Sequence, residues 1–359
     1  MKPTQRLHDL GQSLWLDNIT REMIQNGTLK RYIDELSVTG LTSNPTIYQH
    51  AIESGWYDDA IHAKTVAGRS GEEIFFELAQ EDLTQAADLF RPAHQETGGV
   101  DGWVSLEVSP LLAHDTARTI EQVRSLHRQA NRPNLFIKIP GTPEGLPAIE
   151  ESIFAGVPVN VTLLFSREQY LAAAGAYRRG VARRIAAGLD PAVGSVASVF
   201  ISRWDKAVQD RVPAALRGRL GIAIAGRTYR AYRQLLDSTR WRQLVGAGVR
   251  PQRLLWASTG TKDPKLSDVL YIEALAAPDT IDTMPDATLL AFADHGEIRG
   301  TMAEDGEDAE VVLAEFEREG VDLAALAAQL QREGAEAFVK SWKALLERIG
   351  AKSEALAAS

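Results

Sequence analysis

Eight short strand-like runs, most of them followed by a stretch with helical spacing, constrain this 359-residue chain more than any other feature. They fall at residues 13–18, 40–44, 102–109, 134–140, 157–165, 193–203, 253–258 and 280–284. Residues 71–90 carry Ile74, Leu78, Leu83, Ala86 and Leu89 near helical spacing. Residues 114–130 repeat the pattern with Thr119, Ile120, Val123 and Leu126, and 167–187 and 227–236 are similar. Strand then helix, repeated, implies parallel strands joined by crossover helices. Eight such units in a chain of this length predict an α/β fold, a single (β/α)8 barrel spanning 1–359. A doubly wound sheet in two domains is the rival architecture. The tail from 311 to 357 alternates apolar and charged residues at helical spacing, so 303–359 reads as a helical extension packed on the barrel. The acidic run at 303–310 reads as a solvated loop or helix start.

One of these strands carries an anomaly. Lys138 sits within the apolar run Leu135-Phe136-Ile137-Lys138-Ile139, which Pro140 and Gly141 close. Buried strands rarely contain a lysine. Alternation puts Phe136 and Lys138 on one face and Leu135, Ile137 and Ile139 on the other. A dry pocket disfavours an ammonium, and only a neutral amine attacks a carbonyl, so burial at such a position suits Schiff-base chemistry. The bland alternative is a strand-end lysine whose head reaches water. Glu107, between Leu106 and Val108, needs a partner for its carboxylate, and Lys138 on the next strand is the obvious one. That pair is either a buried salt bridge or an acid/base beside an amine nucleophile.

Chemistry in parallel barrels gathers at the C-terminal strand ends. Those ends supply Asp17 with Asn18, Thr42 with Asn44, Glu107 with Ser109, Lys138, Asn160 with Thr162, Ser198 with Arg203, and Ser258 with Lys262. Asp17 could equally belong to a helix cap, and Asn44 before Pro45 could be a structural turn. Arg203 and Lys262 come late in the barrel, where phosphate is commonly held. The segment Ser258-Thr259-Gly260-Thr261-Lys262 lacks P-loop spacing.

Composition narrows the chemistry further. The chain contains no cysteine, which removes thiolate nucleophiles and thiolate zinc sites. No histidine stands at ligand spacing to another, and no dinucleotide-binding glycine motif is present, so no metal and no cofactor are expected. A formal charge of −9 argues against a nucleic-acid partner but permits an anionic substrate drawn in by local cations. No apolar stretch has membrane-spanning length and no secretory h-region follows Met1, so a soluble cytoplasmic protein is expected.

Several motifs together resemble the transaldolase family. They are WLDN at 15–18, GLTSNPT at 40–46, SLEVSP at 105–110, FIKIPGTPEG at 136–145, NVTLLFS at 160–166, SVFISRWD at 198–205 and WASTGTK at 256–262. The likeness covers about residues 11 to 290 in order and is closest to the longer bacterial branch. It implies a class I aldolase barrel of the pentose phosphate pathway, acting without cofactor on sugar phosphates. Such an enzyme moves a dihydroxyacetone unit from sedoheptulose 7-phosphate to glyceraldehyde 3-phosphate, giving erythrose 4-phosphate and fructose 6-phosphate. By the same resemblance Lys138 is the Schiff-base lysine and Asp17 the acid/base at the C4 hydroxyl. Glu107 and Thr162 position a water, and Asn44 and Asn160 hold the dihydroxyacetone hydroxyls. Ser198 and Arg203 contact substrate and phosphate, with Ser258 and Lys262 beside them.

One position departs from the pattern. Many transaldolases carry an arginine two residues after the serine of the seventh strand, where this chain has Gly260. Lys262 is the candidate replacement, as a point charge in place of a fork. Two other readings stand beside transaldolase: a fructose-6-phosphate aldolase-like enzyme, and a non-catalytic sugar-phosphate-binding barrel. The aldolases carry glutamine in place of Glu107 and tyrosine in place of Phe200, so both residues here favour transfer. The expected assembly is a monomer or a homodimer.

Overall fold

The structure, a computed structural model, describes residues 1–306 and 308–357. Its strands are β1 (Ser13–Leu16), β2 (Val38–Leu41), β3 (Trp103–Glu107), β4 (Leu135–Pro140), β5 (Val159–Leu164), β6 (Ser195–Phe200), β7 (Gln252–Ala257) and β8 (Thr280–Met284). All pair in parallel in chain order, and β8 closes on β1. Closure leaves no strand with unpaired backbone groups at an edge, and it rules out the doubly wound alternative. Every strand therefore has neighbours on both sides and helices outside, which explains why most read as unbroken apolar runs.

The strands are shorter than the apolar runs suggest. Asp17, Asn44, Ser109 and Ser258 lie just past the last paired residue, on the loops at the C-terminal rim. Arg203 is not at a strand end: it belongs to the short helix Ser202–Val208. β6 ends at Phe200, and the bonds from Ile201 N–H to Ala257 O and Ser202 N–H to Ser258 O carry the pairing on into the start of that helix. The helical tract at 71–90 extends to Glu96 despite Pro92, and that at 227–236 begins earlier, at Leu220.

Two helices form the tail, Ala309–Arg318 and Leu323–Ala357. The first packs on helix Leu220–Asp237. This end of the acidic run is a helix start, and there Glu310 accepts from Arg227 Nε at 3.0 Å and from Arg230 at 2.7 Å, which docks the helix. Positions 307, 358 and 359 of the expected extension lie outside the described residues. The second tail helix packs against helices Pro45–Ala51, Asp58–Val66 and Gly71–Glu96 and reaches β5. Among the described residues no helix is long and apolar enough to cross a membrane.

Two apolar layers hold the barrel. The outer one lies between strands and helices, and the inner one fills the barrel's lower half with Trp15, Trp103, Phe136, Val196, Leu255 and Ile281. Trp103 and Phe136 stack with centroids 4.0 Å apart. Such a floor keeps water from entering below, so polar groups placed above it meet solvent only at the rim.

Gly40 makes room for this floor. It pairs with Trp15 across β1 and β2, and a Cβ there would fall 2.6 Å from the Trp15 ring and 2.7 Å from the Trp103 carbonyl oxygen. Neither the ring nor the backbone can retreat. Gly40→Ala should therefore cost about 1–3 kcal/mol by overpacking. Urea unfolding would check this, and a change below about 0.5 kcal/mol would contradict the packing described.

Candidate active site

Register decides which polar groups meet. Glu107 pairs directly with Lys138, and Lys138 with Asn160, so the three share the inward face at one level. Phe136, two residues back, lies in the apolar floor, which leaves Lys138 as the first polar residue above it. The Lys138 Nζ donates to the Ser43 carbonyl at 2.9 Å and to Glu107 Oε2 at 3.4 Å. Lys138 and Glu107 are each only 6% exposed, so this is a buried pair rather than a snorkelling lysine. The Ser43 carbonyl accepts from Nζ without carrying a charge of its own. Burial pushes the Glu107 carboxyl up from its ordinary range; Lys138 pulls it part of the way back, and Asp17 adds to the rise.

Asp17 follows β1 and faces the same mouth. The next helix is capped by Thr20, whose hydroxyl accepts from Met23 N–H at 3.1 Å, so Asp17 is free of capping duty. Thr42 and Asn44 donate to its Oδ1, each at 3.4 Å. Asn44 also caps helix Pro45–Ala51 through Ile47 N–H, so it combines a structural turn with a place in the site. Burial raises the Asp17 carboxyl, while Lys138, then Lys262, and the two hydrogen bonds oppose the rise.

Above Lys138 opens a cavity of about 380 Å³. Asp17, Asn44, Lys138, Thr162, Ser198, Arg203, Ser258 and Lys262 all line it. Glu107 and Asn160 do not; they sit just behind its wall. Asn160 is fully buried, donating to Ser105 Oγ at 3.1 Å and accepting from Ser198 Oγ at 2.7 Å. The Thr162 hydroxyl is buried with no protein partner. The charged lining is one carboxylate against Lys138, Arg203, Lys206 and Lys262, so a chain of net charge −9 presents a cationic mouth. Such a mouth concentrates anions against the global field.

Lys206 and Phe338 also line the cavity, and neither stands out in the sequence as a candidate site residue. The first had a signal, since it stands three residues after Arg203 on one helix. The second had none, being one of three aromatics in a helical tail, 200 residues from Lys138. Gly260 is absent from the lining. A side chain there would start 3.1 Å from Pro285 Cγ, so the position that bears an arginine in many transaldolases is packed against β8's following turn. Lys262 reaches the cavity instead.

The loop after β7 is held by an unusual contact. Ser258 adopts φ +58°, a conformation few non-glycine residues take. Thr259 follows, and its hydroxyl lies 2.7 Å from Asp282 Oδ1 and 3.0 Å from the Thr283 carbonyl. One hydroxyl proton faces two acceptors. Both contacts are satisfied when Asp282 keeps its own proton and donates it to Thr259. Burial agrees, pushing the Asp282 carboxyl from 3.8 up to about 8. The native state then retains a proton that the unfolded chain releases from about pH 4 upward, so this group's contribution falls as pH rises toward 8. An amide at this position has no such proton to lose. The stability of Asp282→Asn relative to the parent should climb by about 1.4 kcal/mol per pH unit between pH 5 and 8. Urea titrations at three pH values read that slope, and a flat difference would mean Asp282 ionises normally.

A lysine inside a (β/α)8 barrel, with a buried and a half-buried carboxylate beside it and an anion-attracting mouth, places the protein among aldolase-type barrels. Comparison with known proteins narrows the class. The family profile described as transaldolase/fructose-6-phosphate aldolase matches residues 14–349. A protein named transaldolase from Parafrankia sp. is 45% identical over 358 residues, covering 97% of each chain. Transaldolases of Thermobifida fusca, 45% identical with 97% of each chain covered, and of Thiobacillus denitrificans, 43% identical with 98% of this chain and 100% of the relative covered, are equally alike. The chain belongs to the transaldolase/fructose-6-phosphate aldolase family.

Proposed function

We propose that the protein is a transaldolase, acting on sugar phosphates through a Schiff base on Lys138. The observation that carries this reading is the buried Lys138–Glu107 pair under a cavity lined by Asp17, the partnerless Thr162 hydroxyl and three further cations. Full-length relatives named transaldolase support it.

The neutral Lys138 amine attacks C2 of a ketose phosphate. One nitrogen proton passes to the carbinolamine oxygen; a second proton, from an acid, turns that hydroxyl into leaving water while the nitrogen keeps its remaining proton, so the protonated C=N bond of an iminium forms. Glu107, with its carboxyl raised by burial, is suited to shuttle that proton; Thr162 has a free hydroxyl to hold the water. Asp17 accepts the proton of the C4 hydroxyl as the C3–C4 bond breaks. The electrons of that bond flow into the iminium, leaving an enamine of dihydroxyacetone on Lys138 and a free aldehyde. An acceptor aldehyde then enters, the steps reverse, and Asp17 returns its proton. A carboxyl raised by burial is a stronger base in the first direction, and it keeps the proton it took until the acceptor's oxygen receives it in the second.

Asn44, Asn160 and Ser198 are assigned to the dihydroxyacetone end, with Asn160 acting through Ser198 from behind the wall. Arg203, Ser258 and Lys262 are assigned to the phosphate. The donor and acceptor proposed are sedoheptulose 7-phosphate and glyceraldehyde 3-phosphate, in the pentose phosphate pathway. Acidic charge and the lack of a membrane-spanning helix among the described residues are compatible with a cytoplasmic enzyme, monomeric or homodimeric, with no nucleic-acid partner.

Borohydride reduction in the presence of fructose 6-phosphate should leave a dihydroxyacetone-sized adduct on the peptide containing Lys138. Peptide mass analysis reads it, and an unmodified Lys138 would end the proposal. Glu107→Gln should slow imine formation by on the order of 100-fold while phosphate binding stays nearly unchanged. Equal loss of both would make Glu107 a structural residue.

A further inference from the structure

The tail helix Leu323–Ala357 crosses the rim of the barrel, and three of its residues face that rim together. Gln331, Gly334 and Phe338 are spaced i, i+3, i+7, hence on one side of the helix. Phe338 lines the cavity. Gly334 sits so close to Leu163 that a Cβ would fall 2.9 Å from its Cδ2. Gln331 uses both amide protons, donating to the Gly141 carbonyl at 3.1 Å and to the Leu163 carbonyl at 2.9 Å.

Those two carbonyls belong to the strands that matter most. Gly141 directly follows β4, the strand of Lys138, and Leu163 directly follows Thr162 on β5. The backbone at Leu163 is strained, with φ +60°, a region that glycine enters freely and leucine does not. The strain accompanies a bulge. The register of β5 against β6 slips between Val161 and Leu164, so one extra residue is inserted. Without it Leu164 would follow Thr162 by two places onto the inner face; with it Leu164 joins the outer layer and Leu163 the inner one. The bulge therefore decides how the chain leaves Thr162.

Thr162 has no side-chain partner to aim it. Its position is set through the backbone alone, by Gly141 N–H donating to its carbonyl at 2.7 Å on one side and by the held Leu163 on the other. Strained backbone persists only where surrounding contacts over-determine it; here the Leu163 side chain packs beneath Gly334, and the Gln331 amide is the hydrogen bond that holds its carbonyl.

We propose that Gln331 is a positioning residue for the imine chemistry: its amide clamps the ends of β4 and β5, holds the bulge at Leu163, and so fixes the Thr162 hydroxyl over Lys138. This rests on the Schiff-base reading above and adds to it a residue that touches no substrate. The clamp belongs to the tail, 193 residues beyond Lys138 in the chain (331 less 138).

Gln331→Leu keeps the volume and removes both donors. Gln331→Glu serves as a second variant if the first folds poorly, since it keeps the shape and turns the donors into acceptors. The measurement is the time course of borohydride trapping with fructose 6-phosphate, beside the binding of inorganic phosphate to the full chain. We expect trapping to slow by about 10- to 100-fold, the scale of a small misplacement of a reacting group, with phosphate binding unchanged. Adding Leu163→Gly should restore trapping to within about threefold of the parent, because glycine needs no clamp to hold φ +60°. Trapping at the parental rate in Gln331→Leu overturns the proposal. So does a double variant that stays slow, for then the loss arises from undocking the helix. A parent enzyme that traps nothing overturns the Schiff-base reading itself, which separates that failure from a failure of the clamp.

Discussion

Placing a carboxylate and an amine 3.4 Å apart inside a barrel is the constraint around which the rest of this molecule is arranged. Neither ion would be tolerated there alone: removing one partner of a buried pair costs about 3–5 kcal/mol. Parallel pairing of β3 with β4 brings Glu107 and Lys138 side by side, and only closure of the sheet puts both on an interior face. The aromatic floor of Trp15, Trp103 and Phe136 blocks water from below. The Ser43 carbonyl gives the amine a second acceptor from across the mouth. Asp17 then stands close enough for Lys138 to act on it as well, so three titrating groups share one field.

Much of this could be read from residues alone. The alternation of strand and helix dictated the barrel, because eight crossover units with two-sided burial admit few other closures. Lys138 was visible because an amine in an apolar strand contradicts its surroundings, and Glu107 was visible for the same reason. What stayed hidden depended on geometry without periodicity. Arg203 was read one element too early, since apolarity and strand-to-strand bonding both continue through Ile201 to the first residue of the helix that carries it. The difference between Asn44, which lines the cavity, and Asn160, which lies behind it, comes from strand depth and not from residue type. Phe338 and Gln331 come from a helix whose sequence says only that it is amphipathic. The left-handed conformation of Leu163 has no sequence mark at all, since no glycine announces it.

The phosphate side shows how a family feature is rearranged. Gly260 lies flat against Pro285, and the neighbouring loop is tied down by Thr259 on Asp282 and by the contact between the Ser202 and Ser258 hydroxyls at 3.0 Å. With that loop held, Lys262 comes out on the cavity side, opposite Arg203 and Lys206 on their helix. Two flexible ammonium groups and one guanidinium recognise charge with less directional demand than paired forks would. Such a mouth suits reactants whose phosphates sit at different distances from the carbonyl, as the seven-carbon donor and three-carbon acceptor do.

The position of Glu107 behind the cavity wall bears on the fate of a single oxygen atom. In the proposed Schiff-base chemistry the water expelled on imine formation would arise between Lys138, Glu107 and the Thr162 hydroxyl, below the bound sugar and above the aromatic floor. A substrate filling the mouth above would slow that molecule's exchange with bulk solvent, and the exchange of one aldehyde for another is the interval in which it can escape. Unless it escapes then, the oxygen that leaves the incoming ketose is the one at hand when the outgoing ketose is formed. The site would carry an isotopic memory from donor to product, a trait that follows from the depth of one glutamate.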